Sequence, residues 1–270
     1  HCSIYSVSTI DGKQGPKTRA ALRAWQEFMK LPATSAIDAP TLRALGPLGQ
    51  AFTARMVTAE DHASLTKNPS TWSGRSQVAR LGYQTVLERI AEEAHAAEAC
   101  IRGLNPSALW PNPAQGTVLL VPNPQPSPKP AAERITISLS QKLVRVFDKD
   151  GAIVAMFPCS IAKDREKRPV GELFIVNCAE NPNYYFDPAL FAEDPEAQTM
   201  TGKLVIPAGP NNPVGVAWIS LNLSGYGMHG TPHPEDIGKT ESHGCFRLAN
   251  WNAEKLLRMI RIGMSVRVNP

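Results

Sequence analysis

In "KTRAALRAWQEFM" the apolar residues Ala21, Leu22, Trp25, Phe28 and Met29 recur at helical spacing. This predicts a helix over 17–29. A second, short helix is predicted in "APTLRAL", with Asp38 as N-cap and Gly46 as stop. The stretch 47–78 is rich in Ser, Thr, Gly and Pro and has no sustained period. Helical periodicity returns in "TVLERIAEEAHAAEACI", where Val86, Leu87, Ile90, Ala91 and Ala94 form an apolar face. Thr85, with Glu88 three residues later, reads as a capping box. "GLNP" ends that helix, and "GTVLLVPN" predicts a short strand. After residue 131 the period becomes two. "RITISLSQKLVRVFDKDGAIVAMFPCSIA" alternates apolar and polar residues, and Asp150-Gly151 supplies a turn between two runs. "GELFIVN", "KLVIPA" and "VAWISLNL" continue the pattern. An amphipathic helix, "NAEKLLRMIRIG", carries Leu256, Leu257 and Ile260 and closes at Gly263; "MSVRV" is a last strand.

These elements predict a multidomain chain. It has a small α-helical module at 1–47, a connecting segment at 48–78, an α+β module at 79–123 and a mostly-β mixed domain at 131–270 with one or two helices. Proline marks the boundary. There are 24 in 270 residues, and "PNPQPSPKP", 122–130, has one at every second position. Such a run favours polyproline II and reads as a semi-rigid spacer of roughly 25 Å.

The length suits two or three domains, and a hydrophobic content of 43% excludes wholesale disorder. The net charge of +4 is spread without a Lys/Arg run, so no nucleic-acid partner is expected. A weak positive field suits a polyanionic surface such as a bacterial wall. No apolar run reaches the roughly 18 residues of a membrane helix. The chain opens at "HCSIYS" without a Met or a signal peptide, which says little about the compartment.

There are five cysteines, an odd number, and no C-x-x-C. Cys100 lies on the apolar stripe of a predicted helix, and Cys159 and Cys178 lie in predicted strands. All three read as structural. Cys245 stands apart, in "ESHGCFRLANW" (241–251). His229, His233 and His243 fall within fifteen residues, with Cys245 two further on. A zinc site built on these is disfavoured, because Pro232 and Pro234 break the helix that would align His229 with His233. No metal or cofactor is expected. A nucleophile fits better. A free thiol has a pKa of about 8.5, and a neighbouring imidazole can take its proton. His229 ends a predicted strand and is followed by Gly230. Gly244, directly before the thiol, lets a substrate approach backbone N–H groups aimed at an oxyanion. A buried structural cysteine remains the rival reading.

Three resemblances bear on that choice. "IDGKQGPKTRAALRAWQ…AIDAPTLRALG" resembles the peptidoglycan-binding helical repeat. The helix, "LNP" and "GTVLLVP" are similar to the LysM wall-binding module, with a weak first strand. "MHGTPHPEDIGKTESHGCFRL" resembles the signature of the YkuD-type L,D-transpeptidases: H-G-T, a spacer holding I-G, then S-H-G-C, a hydrophobic residue (Phe246) and Arg247. "KRPVGELFI" is similar to that family's T-P-x-G-x-F strand, with Arg168 in place of threonine. "GPNNPVGVAWISL" resembles its G-x-x-N-P-L-G segment. The likeness covers about 134–268.

The resemblance implies a YkuD-like β-sandwich and a set of roles. Cys245 is the acylated nucleophile and His229 the general base. The carbonyl of Gly230 orients the imidazole, and the N–H groups of Gly244 and Cys245 form the oxyanion hole. Arg247 holds a peptide carboxylate, Ser242 and His243 shape the substrate loop, and Tyr226 lines the donor pocket. The implied activity is crosslinking of peptidoglycan through a thioester, with release of a terminal D-amino acid. Implied partners are stem peptides and glycan, with carbapenem β-lactams as covalent inhibitors. Water or an envelope lipoprotein is the alternative acceptor. The implied location is the bacterial cell envelope, periplasmic or extracytoplasmic, reached with a leader absent from this chain. A sortase-like enzyme would need a T-L-x-T-C strand that is missing; a non-catalytic wall-binding protein is the rival of another class.

Overall fold

The computed structural model describes residues 9–46, 49–124, 131–191, 193–238 and 244–270. Helix α1 (Pro16–Phe28) begins with proline, whose missing N–H falls where no intrahelical partner exists. Asp38 caps α2 (Ala39–Leu45) by accepting from the Thr41 N–H at 2.9 Å. Gln26 is buried where the two helices meet. Its amide nitrogen lies 2.8 Å from Thr41 Oγ1 and 2.9 Å from the Ala36 carbonyl, and its oxygen accepts from Ser35 N–H. This satisfied polar centre does for so small a module what a larger apolar core would do elsewhere.

The middle region runs β1 (Phe52–Met56), α3 (Ala59–Ala63), α4 (Trp72–Ser76), α5 (Val86–Glu93), α6 (Glu98–Leu104), β2 (Val118–Pro122). Strands β1 and β2 pair antiparallel, from Phe52 opposite Pro122 to Met56 opposite Val118. Leu87, Ile90, Ile101, Leu119 and Val121 form the core beneath them. Two expectations change here. The stretch expected only to connect contains β1, the partner that β2 requires. β1 has exposed apolar residues at both ends, Phe52 and Met56, so it lacks the contrast of a half-buried strand. The helix expected across 85–101 is two helices. His95 has a positive φ of 52°, and Ala96 makes a bridge to Ile10. Pairing with the N-terminal segment overrides local helical propensity there. The Thr85 cap forms, at 3.0 Å from Glu88 N–H, but the Glu88 carboxylate reaches the N–H of Gln84 instead of Thr85.

The rest is β-rich: β3 (Arg134–Ser138), β4 (Leu143–Phe147), β5 (Ile153–Pro158), β6 (Gly171–Glu180), β7 (Tyr184–Phe186), β8 (Leu204–Ile206), β9 (Ala217–Leu221), β10 (Gly227–His229), β11 (Phe246–Arg247), α7 (Asn250–Leu257) and β12 (Ser265–Asn269). Eight strands form one sheet in the order β11-β10-β9-β6-β12-β3-β4-β5. The pairings are antiparallel except β10 with β11 and β12 with β3. The sheet curls until its ends meet: just beyond β5, Ser160 exchanges two backbone hydrogen bonds with Arg247 of β11, at 2.9 and 3.1 Å. Ile135, Val144, Phe157, Ile175, Ile219 and Leu256 are among the residues that fill the core. The expected turn at Gly151 forms, with φ 78°. "KLVIPA" is a strand, but it pairs with β7 outside the main sheet. Helix α7 ends at Leu257, and Gly263 (φ 84°) turns the chain into β12. Cys100, Cys159, Cys178 and Cys245 are present as thiols; Cys2 lies outside the described residues.

The three parts touch. Ala24 of α1 packs with Leu143 and Met156. Leu81 exchanges backbone hydrogen bonds with Ala208 and Asn211, at 3.0 and 3.1 Å. Trp72 stacks on Phe186 at 4.0 Å, and its indole N–H donates to Asp194 at 2.8 Å. Of the spacer expected at 122–130, Pro122 instead ends strand β2, paired with Phe52, and 125–130 lie outside the described residues; the modules on either side are not held apart. Trp72→Ala removes the stack that fastens the β7–β8 excursion to α4. A buried Trp→Ala change costs about 3–5 kcal/mol, and the partial exposure of Trp72 brings the expectation to about 2–3 kcal/mol. Hydrogen exchange should reveal loss of amide protection across 184–206; unchanged protection would show that the excursion holds itself.

Candidate active site

The site lies at the β11 end of the sheet. β10 pairs in parallel with β11, placing Met228 opposite Phe246 and His229 opposite Arg247. Cys245 is the residue that leads into β11. On the other side, β9 brings Trp218 opposite His229, with ring centroids 5.4 Å apart. Trp218 is itself held by donating to Ser220 Oγ at 2.6 Å.

His229 is 5% exposed. Its Nδ1 lies 2.6 Å from the Gly230 carbonyl oxygen. A carbonyl only accepts, so Nδ1 carries the proton and Nε2 keeps its lone pair. Burial lowers the imidazole pKa to about 4; the Gly230 bond opposes this and the Arg247 charge reinforces it. The Cys245 thiol donates to the Gly225 carbonyl at 3.4 Å. Burial pushes that thiol above its ordinary value, while the Gly227 amide and the Arg247 charge pull it down. Both shifts favour a neutral thiol beside a neutral imidazole, in place of a preformed ion pair.

Glycines make the room. A Cβ on Gly230 would sit 2.3 Å from the Asn250 side-chain oxygen, and one on Gly215 2.0 Å from the same atom. Gly244 lies against the Tyr226 ring, where a Cβ would come to 3.4 Å. Arg247 has its backbone fixed by Ser160, and its side chain borders a cavity of about 50 Å³ lined also by Thr231, His233, Asp236 and Ile237. Burial lowers the Arg247 pKa, and Cys245 and Tyr184 oppose this. A wider open cleft of about 440 Å³ lies over Asp187–Lys203 and touches none of these groups.

The fold therefore brings Cys245, His229, Gly230, Gly244, Arg247 and Tyr226 together. Ser242 and His243 lie outside the described residues. His233, expected in a loop, lines the small cavity beside Arg247. Sequence reasoning missed Tyr184, which feels the charges of Cys245 and Arg247 and is raised by burial to about 12. It also missed Ser160, Trp218 and Asn250. Only Trp218 had a signal, as a polar-capable ring in an alternating strand two elements from the thiol.

Residues 132–268 match the family described as the YkuD L,D-transpeptidase catalytic domain. The chain belongs to the L,D-transpeptidases. These are enzymes that work through a cysteine nucleophile. Residues 3–45 match the family described as "Putative peptidoglycan binding domain". A Bacillus licheniformis protein named "Putative L,D-transpeptidase YkuD" is 27% identical over 184 residues, 68% of this chain and 93% of that one. Among solved structures, an Enterococcus faecium L,D-transpeptidase mutant is 19% identical with a TM-score of 0.39, over 57% of this chain. The present chain spans 56% of that protein. L,D-transpeptidase LdtMt1, solved in complex with imipenem, is 17% identical with a TM-score of 0.39, over 58% of this chain and 74% of that one.

The lowered pKa of His229 fixes the sign of a pH effect. Its imidazole is unprotonated at any pH above about 4. The acid limb of kcat/KM, which reports the free enzyme, should therefore fall near pH 4. A limb near the ordinary 6.5 would mean a solvated imidazole. The unfolded chain binds this proton first, so the same group costs stability as pH drops from 6.5 toward 4.

Proposed function

We propose that this L,D-transpeptidase forms or remodels peptidoglycan crosslinks with Cys245 as nucleophile and His229 as base. Cys245 Sγ attacks the carbonyl carbon that precedes a terminal D-residue in a stem peptide. His229 Nε2 takes the thiol proton and returns it to the departing amine. The C–N bond breaks, the D-amino acid leaves, and a thioester remains. A second stem's amine attacks the thioester carbonyl, and Cys245 is released as the thiol. With water as acceptor the product is a carboxylic acid and the enzyme is an L,D-carboxypeptidase. With a protein lysine it anchors a lipoprotein.

One observation carries this reading: a buried imidazole whose Nδ1–H is held by the Gly230 carbonyl, on the strand paired with the one that Cys245 opens. The carbonyl plays the orienting part that a carboxylate plays in other triads. The N–H groups of Gly244 and Cys245 are the proposed oxyanion hole. Arg247 is the proposed carboxylate holder, a role suited to a planar fork of donors. Tyr226, packed on Gly244, is the proposed lining of the donor side, and Ser242 and His243 are proposed to take part in substrate binding. The 79–123 region, whose helices α5 and α6 precede β2, supports a LysM-like reading once β1 is added as the first strand. Residues 1–47 and this module would hold the enzyme on the wall, in an extracytoplasmic setting.

A carbapenem tests the chemistry. Its strained acyl group should open at any nucleophile beside an oxyanion hole. Intact-mass measurement should record one added drug mass, mapped by digestion to the peptide holding Cys245. Cys245→Ala should take up none. Arg247→Ala should slow the addition by roughly ten- to hundredfold, the worth of one charge-assisted contact of ~1.5–3 kcal/mol. An adduct on another cysteine would overturn the assignment. Mass spectrometry of muropeptides after incubation with the protein identifies the acceptor.

A further inference from the structure

Behind the proposed base lies a chain of contacts that crosses from the catalytic domain into the middle module. Asn250, the first residue of α7, is 1% exposed. Its Oδ1 accepts from the Val216 N–H at 3.3 Å and rests against both Gly215 and Gly230, in space that a Cβ on either would fill. Gly215 and Gly230 also touch each other: a Cβ on Gly215 would come to 2.7 Å from the Gly230 carbonyl carbon. The orientation of the amide is unambiguous. Val216 N–H only donates, so it faces oxygen; the Pro210 carbonyl on the other side, at 3.1 Å, only accepts, so it faces nitrogen. The Glu92 carboxyl lies on that nitrogen side too, with its oxygens 3.0 and 3.3 Å away. Glu92 belongs to α5 of the middle module. Tyr83 holds it from the other side, its hydroxyl 3.2 Å from Oε1. Burial raises the Glu92 pKa to about 7, and the bonds from Asn250 and Tyr83 pull it back.

We infer that Asn250 is a positioning residue for His229, acting through Gly230, and that Glu92 of the middle module holds Asn250 in place. The inference rests on His229 being the base. Gly230 is gripped on one side by the Asn250 amide and on the other offers its carbonyl to His229 Nδ1. A shift of Asn250 therefore moves the group that aims the imidazole. Without Glu92 the amide loses one of the acceptors that fix its rotation. The surrounding loop is also anchored across the boundary: Asn211 donates to the Gly82 carbonyl at 2.8 Å, and Gly209 lies so close to Leu81 that a Cβ would be 2.1 Å from its oxygen. The middle module is thus a support for the catalytic geometry as well as a separate fold.

The test uses the full chain and three variants, Glu92→Ala, Glu92→Gln and Asn250→Ala, with circular dichroism to follow folding. The readouts are the rate of carbapenem addition to Cys245 and its pH profile. Misplacing a catalytic group by about 1 Å can cost 10²-fold, so Glu92→Ala and Asn250→Ala should slow addition about ten- to hundredfold. Their acid limb should move from near 4 toward 6.5 as the imidazole loosens into solvent. Glu92→Gln keeps an accepting oxygen and should restore both rate and profile. If Asn250→Ala fails to fold, the Glu92 pair decides alone. Wild-type rate and profile in Glu92→Ala, with Cys245→Ala inert, would overturn the inference and leave the thiol chemistry standing. Drug uptake by Cys245→Ala would instead sink the reading of the nucleophile.

Discussion

Two backbone hydrogen bonds between Ser160 and Arg247 join the ends of the eight-stranded sheet, and the site depends on them. β11 is only two residues long. With one neighbour, β10, it would be a frayed edge, because short edge strands have few bonds to hold them. The Ser160 exchange gives Arg247 a partner on its other side. It also draws in the 231–238 segment, since Ser160 Oγ accepts from Gly238 N–H at 2.9 Å. The same curl that removes two free sheet edges thus fixes the backbone two residues after the thiol.

Burial, more than any charge partner, sets the chemistry. No acidic side chain touches His229 among the described contacts; its Nδ1 is held by a neutral carbonyl. A carboxylate there would favour the imidazolium in the resting state, whereas a carbonyl orients the ring without that effect. The nearby cation, Arg247, acts in the same direction on the histidine and in the opposite one on the thiol. Both groups are thereby kept uncharged at rest.

What was legible in the sequence was local and periodic. Alternation over 134–162 predicted two runs with a turn at Asp150-Gly151, and the structure divides the first run into β3 and β4; Asp38 located a cap. The cysteine and histidine stood out as candidates because each adjoins a glycine at a predicted strand end, and the pairing of β10 with β11 puts their segments side by side. What was not legible depended on distant partners. β1 looked like connecting sequence because its identity comes from pairing with β2, more than sixty residues on. The break at His95 comes from a bridge to Ile10. Ser160 and Asn250 are ordinary residues at ordinary positions, and their importance follows from curl and docking that no local window contains.

The crowding at Gly230 has a consequence for anyone wishing to redesign this enzyme. A carboxylate on the residue after the histidine would be the simplest way to install a conventional charged third member. The position cannot receive one, because the Asn250 oxygen already occupies the volume that the first side-chain carbon would need. A library randomised at 230 alone would therefore return little besides glycine. Diversity there becomes accessible only if 250 and 215 are varied at the same time, so the three positions form one unit of sequence space.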